Sequence, residues 1–199
     1  IYKPYLELQQ VSSGLGFANI DLDSDGVLRR LPIVAELNGK LVPHLFLKLL
    51  CEHYSYSIEN IEFKTPYKLL LHNFPANNMS TLEIPLDGYG NMMINYLSFE
   101  KIQYQKRKGD FNFYSAWSIN QHDRPLNFSG KTVLFGDHSL VARDSSPTPL
   151  GGEMHNPLIF CIAMSNIINE SFIRPISNIS SIYQIIIALL ILIIVALRF

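Results

Sequence analysis

An apolar run near the C-terminus constrains this chain more than any other feature. From Ile182 to Leu197 the sequence reads IYQIIIALLILIIVAL, in which Gln184 is the one strongly polar side chain. Because the run is apolar all round instead of striped, it predicts a transmembrane helix. As a helix it spans roughly 24 Å, short of the ~30 Å hydrocarbon core unless Ser180, Ser181 or residues beyond Phe199 contribute. A buried core helix is the alternative that this length leaves open.

The rest of the chain has the composition of a single folded domain. Hydrophobic residues make up 48% of the sequence, charged residues make up 17%, and the formal net charge is −1. This balance is atypical of disordered chains and of nucleic-acid-binding surfaces. Cys51 and Cys161 each fall in a predicted amphipathic helix, which favours ordinary partly buried thiols over one disulfide. The first residues show no signal-peptide pattern, so we interpret the chain as an internal piece of a longer protein, with a domain at residues 1–178 and the membrane helix at residues 179–199.

Two pairs of strand-like runs, each joined by an Asp-Gly turn, predict two hairpins. They are Leu15–Ile20 with Val27–Leu37, around Asp25-Gly26, and Thr81–Leu86 with Asn91–Tyr96, around Asp87-Gly88. We expect Gly26 and Gly88 to adopt positive φ, as such turns require. Pro32 has no N–H to donate to a central ladder, so the run that contains it is expected to lie at an edge or to bend there.

Apolar residues at three- and four-residue intervals predict two amphipathic helices, Val42–Tyr54, with a proline in its first turn, and Met154–Asn169. The run Thr132–Phe135, closed by Gly136, has the unalternating pattern of a central strand that is buried on both faces. Asp144–Gly152 is rich in proline and glycine and predicts a loop. The predicted fold class is therefore α/β, a mixed sheet with hairpins and packed amphipathic helices, followed by one transmembrane helix.

Asp21, Asp23 and Asp25 stand at the first, third and fifth positions of a calcium-loop pattern, with Gly26 at the sixth. Pro32 occupies the twelfth position, where an EF-hand needs a bidentate glutamate. We therefore favour a hairpin turn in which the aspartates cap backbone N–H groups, and a partial calcium site is the alternative. The histidines show no metal-ligand spacing, so no zinc site is predicted.

Arg29 and Arg30 follow this turn, and pairing with its aspartates, Asp21 or Asp25, is favoured over capture of an anionic ligand. Glu153 and His155 are expected at the start of the second amphipathic helix. There the carboxylate interacts favourably with the helix N-terminus and the imidazole bonds the loop backbone. The loop Asp144–His155 follows the predicted central strand, and we expect it to border the functional surface.

Several short motifs follow one another along most of the chain. They are Gly16-Phe-Ala-Asn-Ile-Asp, Asp23-Ser-Asp-Gly-Val-Leu-Arg-Arg-Leu-Pro, Asp87-Gly-Tyr-Gly, Ile94-Asn-Tyr, Gly130-Lys-Thr-Val-Leu-Phe-Gly-Asp, Thr148-Pro and Glu153-Met-His-Asn. Their order resembles the second class of CHASE domains, the sensory domains associated with cyclases and histidine kinases. The motif positions singled out are Gly26, Arg29, Pro32, Asp87, Gly88, Gly136, Thr148, Pro149, Glu153 and His155. The sequence departs from the family pattern at Gly151-Gly152, where glycine-valine is usual, and matches it poorly over Asp137–Ser146.

The resemblance implies a periplasmic or extracellular sensor in a bacterial inner-membrane receptor, which signals through the membrane helix to a cyclase, kinase or similar domain beyond Phe199. It implies the membrane, an unknown small-molecule or protein signal and a second copy of the receptor as partners, and no nucleic acid. It identifies no ligand, because this class has no established common one. No cofactor and no enzymatic activity are expected, since nucleophile and P-loop motifs are missing from the sequence. A periplasmic structural or assembly module and a membrane-anchored hydrolase are the alternatives.

Overall fold

The computed structural model of the chain describes residues 5–64, 68–76, 79–96, 114–115, 119, 126–137, 144–174 and 178–196. The strands are β1 (Arg30–Pro32), β2 (Val34–Leu37), β3 (Lys40–Pro43), β4 (Ile61–Phe63), β5 (Lys68–His72), β6 (Thr81–Pro85), β7 (Asn91–Met93), β8 (Ser145–Thr148) and β9 (Gly152–His155). The α-helices are α1 (Leu6–Val11), α2 (Leu45–His53), α3 (Asn156–Ile168) and α4 (Asn178–Ala196), and Ile58–Asn60 is a 3-10 turn. The predicted α/β class is confirmed.

The strands form small antiparallel sheets rather than one continuous sheet. The order β4-β5-β6 makes a three-stranded sheet, while β1 pairs with β7, β2 with β3 and β8 with β9. Helices α2 and α3 pack together against the apolar side chains of these sheets. The core includes the fully buried residues Leu31, Phe46, Leu50, Leu69, Ile84, Met92, Ile159 and Ile162.

The predicted pairing of Leu15–Ile20 with Val27–Leu37 is wrong. Phe17 in the first run instead makes a parallel bridge with His44. The second run bends at Ile33 and divides into β1 and β2, which have different partners. The bend directly after Pro32 confirms the expectation drawn from that proline, which cannot donate to a continuing ladder.

The second predicted hairpin has its turn in the right place but the wrong strand pairing. Asp87 N donates to Asn91 O at 2.9 Å, and Gly90 N donates to Asp87 O at 3.1 Å. Positive φ occurs at Gly90 (83°), instead of at Gly88 as predicted. The flanking strands β6 and β7 pair with β5 and β1, because the Asp-Gly pattern determines a local turn and not the partners of the strands beside it.

Both predicted helices form, but each begins later than expected. Asn38 (φ 53°) and Gly39 (φ 75°) make a turn of the type that joins two-residue hairpins, so Pro43 ends β3 instead of lying in the first turn of α2. In the same way, the predicted loop Asp144–Gly152 contains β8 and the start of β9. Glu153 and His155 therefore lie in a strand, and α3 begins at Asn156.

The predicted central strand at Thr132–Phe135 is wrong. The described residues 126–137 contain no strand, and the side chains of Val133 and Phe135 are 57% and 84% exposed. Leu134 packs against the core, and Gly136 lies so close to α3 that a Cβ atom there would clash with the ring of Pro157. The segment is thus a connection that touches the core at two points, which its short apolar pattern does not distinguish from a strand.

Cys51 in α2 and Cys161 in α3 are free thiols, as predicted, and burial raises the pKa of each to about 11. In α4, the described side chains from Tyr183 onward are exposed. In the part of the chain that the structure describes, no helix combines the length and the apolar character that a membrane span requires.

His44 is fully buried and joins three segments of the fold. Its ring contacts Phe17, Phe46 and Phe160, with centroids 4.7 to 4.9 Å away. Nδ1 accepts a hydrogen bond from Phe46 N at 3.3 Å and thereby caps α2. This assigns the proton to Nε2, which donates to Asn19 O at 3.3 Å. Burial lowers the pKa of His44 to about 4.

Acidification is expected to destabilise the domain through His44. Because its pKa is about 4 in the folded chain and near 6.5 when unfolded, the unfolded chain binds more protons between these values. This contribution to stability is complete above pH 6.5 and falls by about 2 kcal/mol between pH 7.5 and pH 5. Urea unfolding at both pH values measures it. His44→Asn retains a capping oxygen and should show a smaller pH-dependent loss, and an unchanged loss in this variant would contradict the assignment.

Candidate functional site

The turn around Asp25 and the turn around Asp87 lie side by side in the fold. Pairing of β1 with β7 aligns Arg30 with Met93 and brings the two turns together, although Arg30 and Asp87 are 57 residues apart in the sequence. Both turns belong to the motifs that carry the family resemblance. Their charged side chains form a group that we call the turn cluster: Asp23, Asp25, Arg29, Arg30 and Asp87.

Arg29 forms a fork across the first turn. Its Nη1 donates to Asp23 Oδ2 at 2.9 Å and to Asp25 Oδ1 at 2.8 Å, while Nη2 donates to Asp25 Oδ2 at 2.7 Å. Asp25 Oδ1 also accepts from Val27 N at 3.2 Å, as expected for an aspartate that caps a turn. The hydrogen bonds from Arg29 and Val27 lower the pKa of Asp25 to about 2. The backbone of this turn uses Gly26 at φ 78°, which confirms the predicted positive φ.

Asp87 is the most buried carboxylate of the turn cluster. Its Oδ1 accepts from the backbone N–H groups of Tyr89 and Asn91, each at 2.9 Å. Its Oδ2 accepts from Asn91 Nδ2 at 3.1 Å and from Arg30 Nη1 at 2.9 Å. Burial alone would raise the pKa of Asp87, but the hydrogen bonds from Asn91, Arg30 and Tyr89 together hold it below its usual value. The carboxylate therefore remains ionised and is a poor general acid near neutral pH.

The two arginines are engaged mainly with carboxylates of the chain itself. Arg30 Nε lies 3.1 Å from Asp23 Oδ1, and within the described part of the chain this buried N–H forms no hydrogen bond. An anionic ligand would have to compete with Asp23, Asp25 and Asp87 for the guanidinium groups. The structure thus confirms pairing of Arg29 with Asp25, and it adds partners that the sequence reasoning missed, namely Asp23 and Asp87.

An open cleft of about 450 Å³ lies beside the turn cluster. Besides cluster residues, it is lined by Asp21, Leu22, Ser24, Pro32, Tyr89 and Asn91. The side chain of Tyr89 is 91% exposed. Among the described residues, no group of three or more histidine, cysteine or acidic side chains is placed to hold a metal ion. The cleft combines charged, hydroxyl and aromatic groups that can contact a small polar molecule.

The motif residues Thr148, Pro149, Glu153 and His155 lie in the β8–β9 hairpin. Thr148 Oγ1 donates to Gly152 O at 3.4 Å across the turn that contains Pro149. Glu153 lies in β9 instead of at the start of α3 as predicted, and its Oε2 accepts from Ser145 Oγ at 2.6 Å. The hairpin reaches the turn cluster indirectly, because Pro147 O accepts from Leu28 N at 2.8 Å just before Arg29.

Asn156, which the sequence reasoning missed, organises the start of α3. Its Nδ2 donates to Asp144 Oδ1 and its Oδ1 accepts from Ser146 Oγ, both at 2.8 Å. An asparagine directly before a proline at a helix start is the signal that could have located it. The predicted loop Asp144–His155 is therefore a hairpin, and the hydrogen bonds of Asn156 with Asp144 and Ser146 hold its first strand against the start of α3.

Comparison with protein families matches residues 3–197 to the CHASE2 domain. The chain belongs to the CHASE2 domain family. The resemblance seen in the order of the sequence motifs is thereby confirmed, and CHASE2 domains are extracellular sensory domains of signalling receptors. No curated protein and no solved structure gives a significant match to the chain. Within this CHASE2 domain, the β1–β7 pairing brings the two Asp-Gly motifs together.

Loss of the Asp87 charge should destabilise the domain far more than loss of the Asp25 charge. Asp87→Asn removes the more buried of the two carboxylates that pair with the half-buried Arg30, and we expect it to cost about 1 to 3 kcal/mol. Asp25→Asn is the matched control, because Asp25 also pairs with an arginine but is exposed, where ion pairs contribute little. Urea unfolding of both variants measures the free energy of unfolding that each loses. Equal losses would show that the burial of Asp87 does not determine its contribution to stability.

Proposed function

We propose that this CHASE2 domain is the signal-input domain of a membrane-bound receptor, anchored through α4 and connected to a cytoplasmic output domain such as a cyclase or a histidine kinase. The observation that carries the proposal is the exposed apolar surface of α4. Its large side chains between Tyr183 and Val195 are 46% to 68% exposed. Burying each such side chain is worth roughly 1.5 to 3 kcal/mol, so this surface favours an apolar environment.

The sequence around α4 supports the same proposal. The described residues of α4 do not by themselves reach the length and apolar character of a membrane span, but the apolar run in the sequence continues to Leu197, one residue beyond the described end of the helix at Ala196. Arg198 directly after the apolar run would lie at a lipid–water interface, where cationic side chains are stable. On this proposal residues 1–178 lie in the periplasm or outside the cell, and a second receptor copy and an unknown signal are the partners.

The short connector between α3 and α4 supports direct transmission of a structural change from the sensory domain to α4. Residues 169–177 separate the end of α3 from the start of α4, a span that reaches at most about 30 Å when extended. Arg174 Nη1 lies 3.3 Å from Glu83 Oε1, which also pairs with Lys68 Nζ at 3.0 Å. The connector thus touches the β4-β5-β6 sheet before it enters α4. A displacement of α3 would be passed to α4 with little slack.

Charged residues in the middle of α4 are expected to release the chain from membranes. Leu190→Arg with Ile191→Arg should cost roughly 2.5 to 3.5 kcal/mol per residue at the centre of a span. The measurement is the fraction of protein retained in alkali-washed membranes. Leu8→Arg with Leu41→Arg, two exposed apolar positions outside α4, is the matched control and should stay in the membrane fraction. Equal retention of both double variants would refute anchoring by α4.

A flexible insertion in the connector tests transmission separately. Ten Gly/Ser residues between Arg174 and Asn178 should abolish regulation of the output activity by the sensory domain, because such a linker behaves as a random coil. Membrane retention should persist. An insertion of equal length in the exposed Asn38-Gly39 turn is the control and should preserve regulation. If regulated output survives the connector insertion, the domain acts by another route, such as dimerisation.

A further inference from the structure

Asn166 is a buried polar side chain on the core side of α3, only 1% exposed. Its amide forms two hydrogen bonds with the backbone of a single residue, Asn95. Asn95 N donates to Asn166 Oδ1 at 2.8 Å, and Asn166 Nδ2 donates to Asn95 O at 3.1 Å. The Asn166 amide therefore replaces the backbone partners that a neighbouring strand would provide, and it satisfies both the N–H and the carbonyl of Asn95.

The same two asparagines hold the end of α3. Ser171 N donates to Asn166 O at 3.0 Å and Glu170 N donates to Ile167 O at 3.3 Å, the bonding pattern of a Schellman cap. Glu170 adopts φ 53°, a left-handed conformation that is unfavourable for a residue with a side chain. Asn95 Nδ2 donates to Ser171 O at 3.1 Å and thereby helps to hold the chain in this turn. The connector to α4 begins here.

On its other side, Asn95 is fixed to the strand that carries the arginines of the turn cluster. Ile94 N donates to Arg29 O at 2.9 Å, and Tyr96 Oη donates to Leu28 O at 2.7 Å. Asn95 thus lies between two residues that are bonded to the chain immediately before Arg30. Consecutive hydrogen bonds join Arg29 to Ser171 through only a few residues.

We propose that Asn166 and Asn95 couple the turn cluster to the connector, so that a displacement of Arg29 and Arg30 alters the turn at residues 169–174. The use of this coupling for signalling rests on the proposed function, whereas the coupling itself is a property of the fold. Asparagine is specifically suited to position 166. Leucine has the size but neither hydrogen bond, and aspartate would place an acceptor against Asn95 O.

Hydrogen exchange of the whole chain in detergent micelles tests this coupling. Arg30→Gln, which removes the ion pair with Asp87, should accelerate amide exchange at residues 169–174 by about threefold or more relative to the amides of β5. In the Asn166→Leu background, the same substitution should produce no further acceleration at residues 169–174. Normalisation to β5 removes the effect of lower global stability, which a merely structural role of Asn166 would produce.

Asn169→Leu is the matched control, because Asn169 lies in the cap of the same helix but bonds to Ser165. It should leave the response to Arg30→Gln intact. Asn95→Ala is a milder second variant that keeps both backbone bonds to Asn166, and it should weaken the response. An equal response to Arg30→Gln with and without Asn166 would overturn the coupling, as would no response in the native background. Neither result depends on whether α4 enters a membrane, so failure of the coupling is distinguishable from failure of the proposed function.

Discussion

The pairing of β1 with β7 is the interaction on which the candidate site depends. It closes a segment of 57 residues between Arg30 and Asp87, which costs about 4 kcal/mol in chain entropy by the logarithmic loop relation. Leu31 and Met92 face each other in this pairing and are fully buried, and each contributes roughly 1.5 to 3 kcal/mol. Apolar burial is therefore enough to offset the closure, while the partly exposed ion pair contributes less. The charges chiefly fix which residues meet, because a misplaced Asp87 would be buried without its cationic partner Arg30.

Sequence reasoning located the turns better than the partners of the strands. Asp25-Gly26 lies in a turn because positive φ is a local requirement that a short pattern reveals. The strands β1 and β2 that follow it contain only three and four residues, which is too few for periodicity to indicate a face or a partner. The prediction of a central strand at Thr132–Phe135 was wrong for the same reason. The β8–β9 hairpin was missed because Pro147 and Pro149 are typical of loops, yet an edge strand tolerates proline and the carbonyl of Pro147 still accepts a bond from Leu28.

In the candidate site, too, contacts between neighbours in the sequence could be predicted and contacts between distant segments could not. Pairing of Arg29 with Asp25 could be predicted because four residues across a tight turn bring both side chains together. The partnership of Arg30 with Asp87 could not, because it requires the β1–β7 pairing, which no local pattern encodes. Asn166 was inconspicuous for a further reason, since it interrupts the apolar face of α3 and reads as an ordinary polar substitution. Its role appears only when the backbone of Asn95 lies against it.

Most of the buried polar side chains of the described residues share one property that bears on movement. Those of His44, Asp87, Thr148 and Asn166 all bond to backbone groups, and Ser146 instead bonds to the side chain of Asn156. In a closely packed core, rotation of these side chains is restricted, so their bonds to backbone depend mainly on the position of the bonded turn or strand. On the coupling proposed above, a change at one turn would shift such segments as units, and the short connector would pass this shift toward α4.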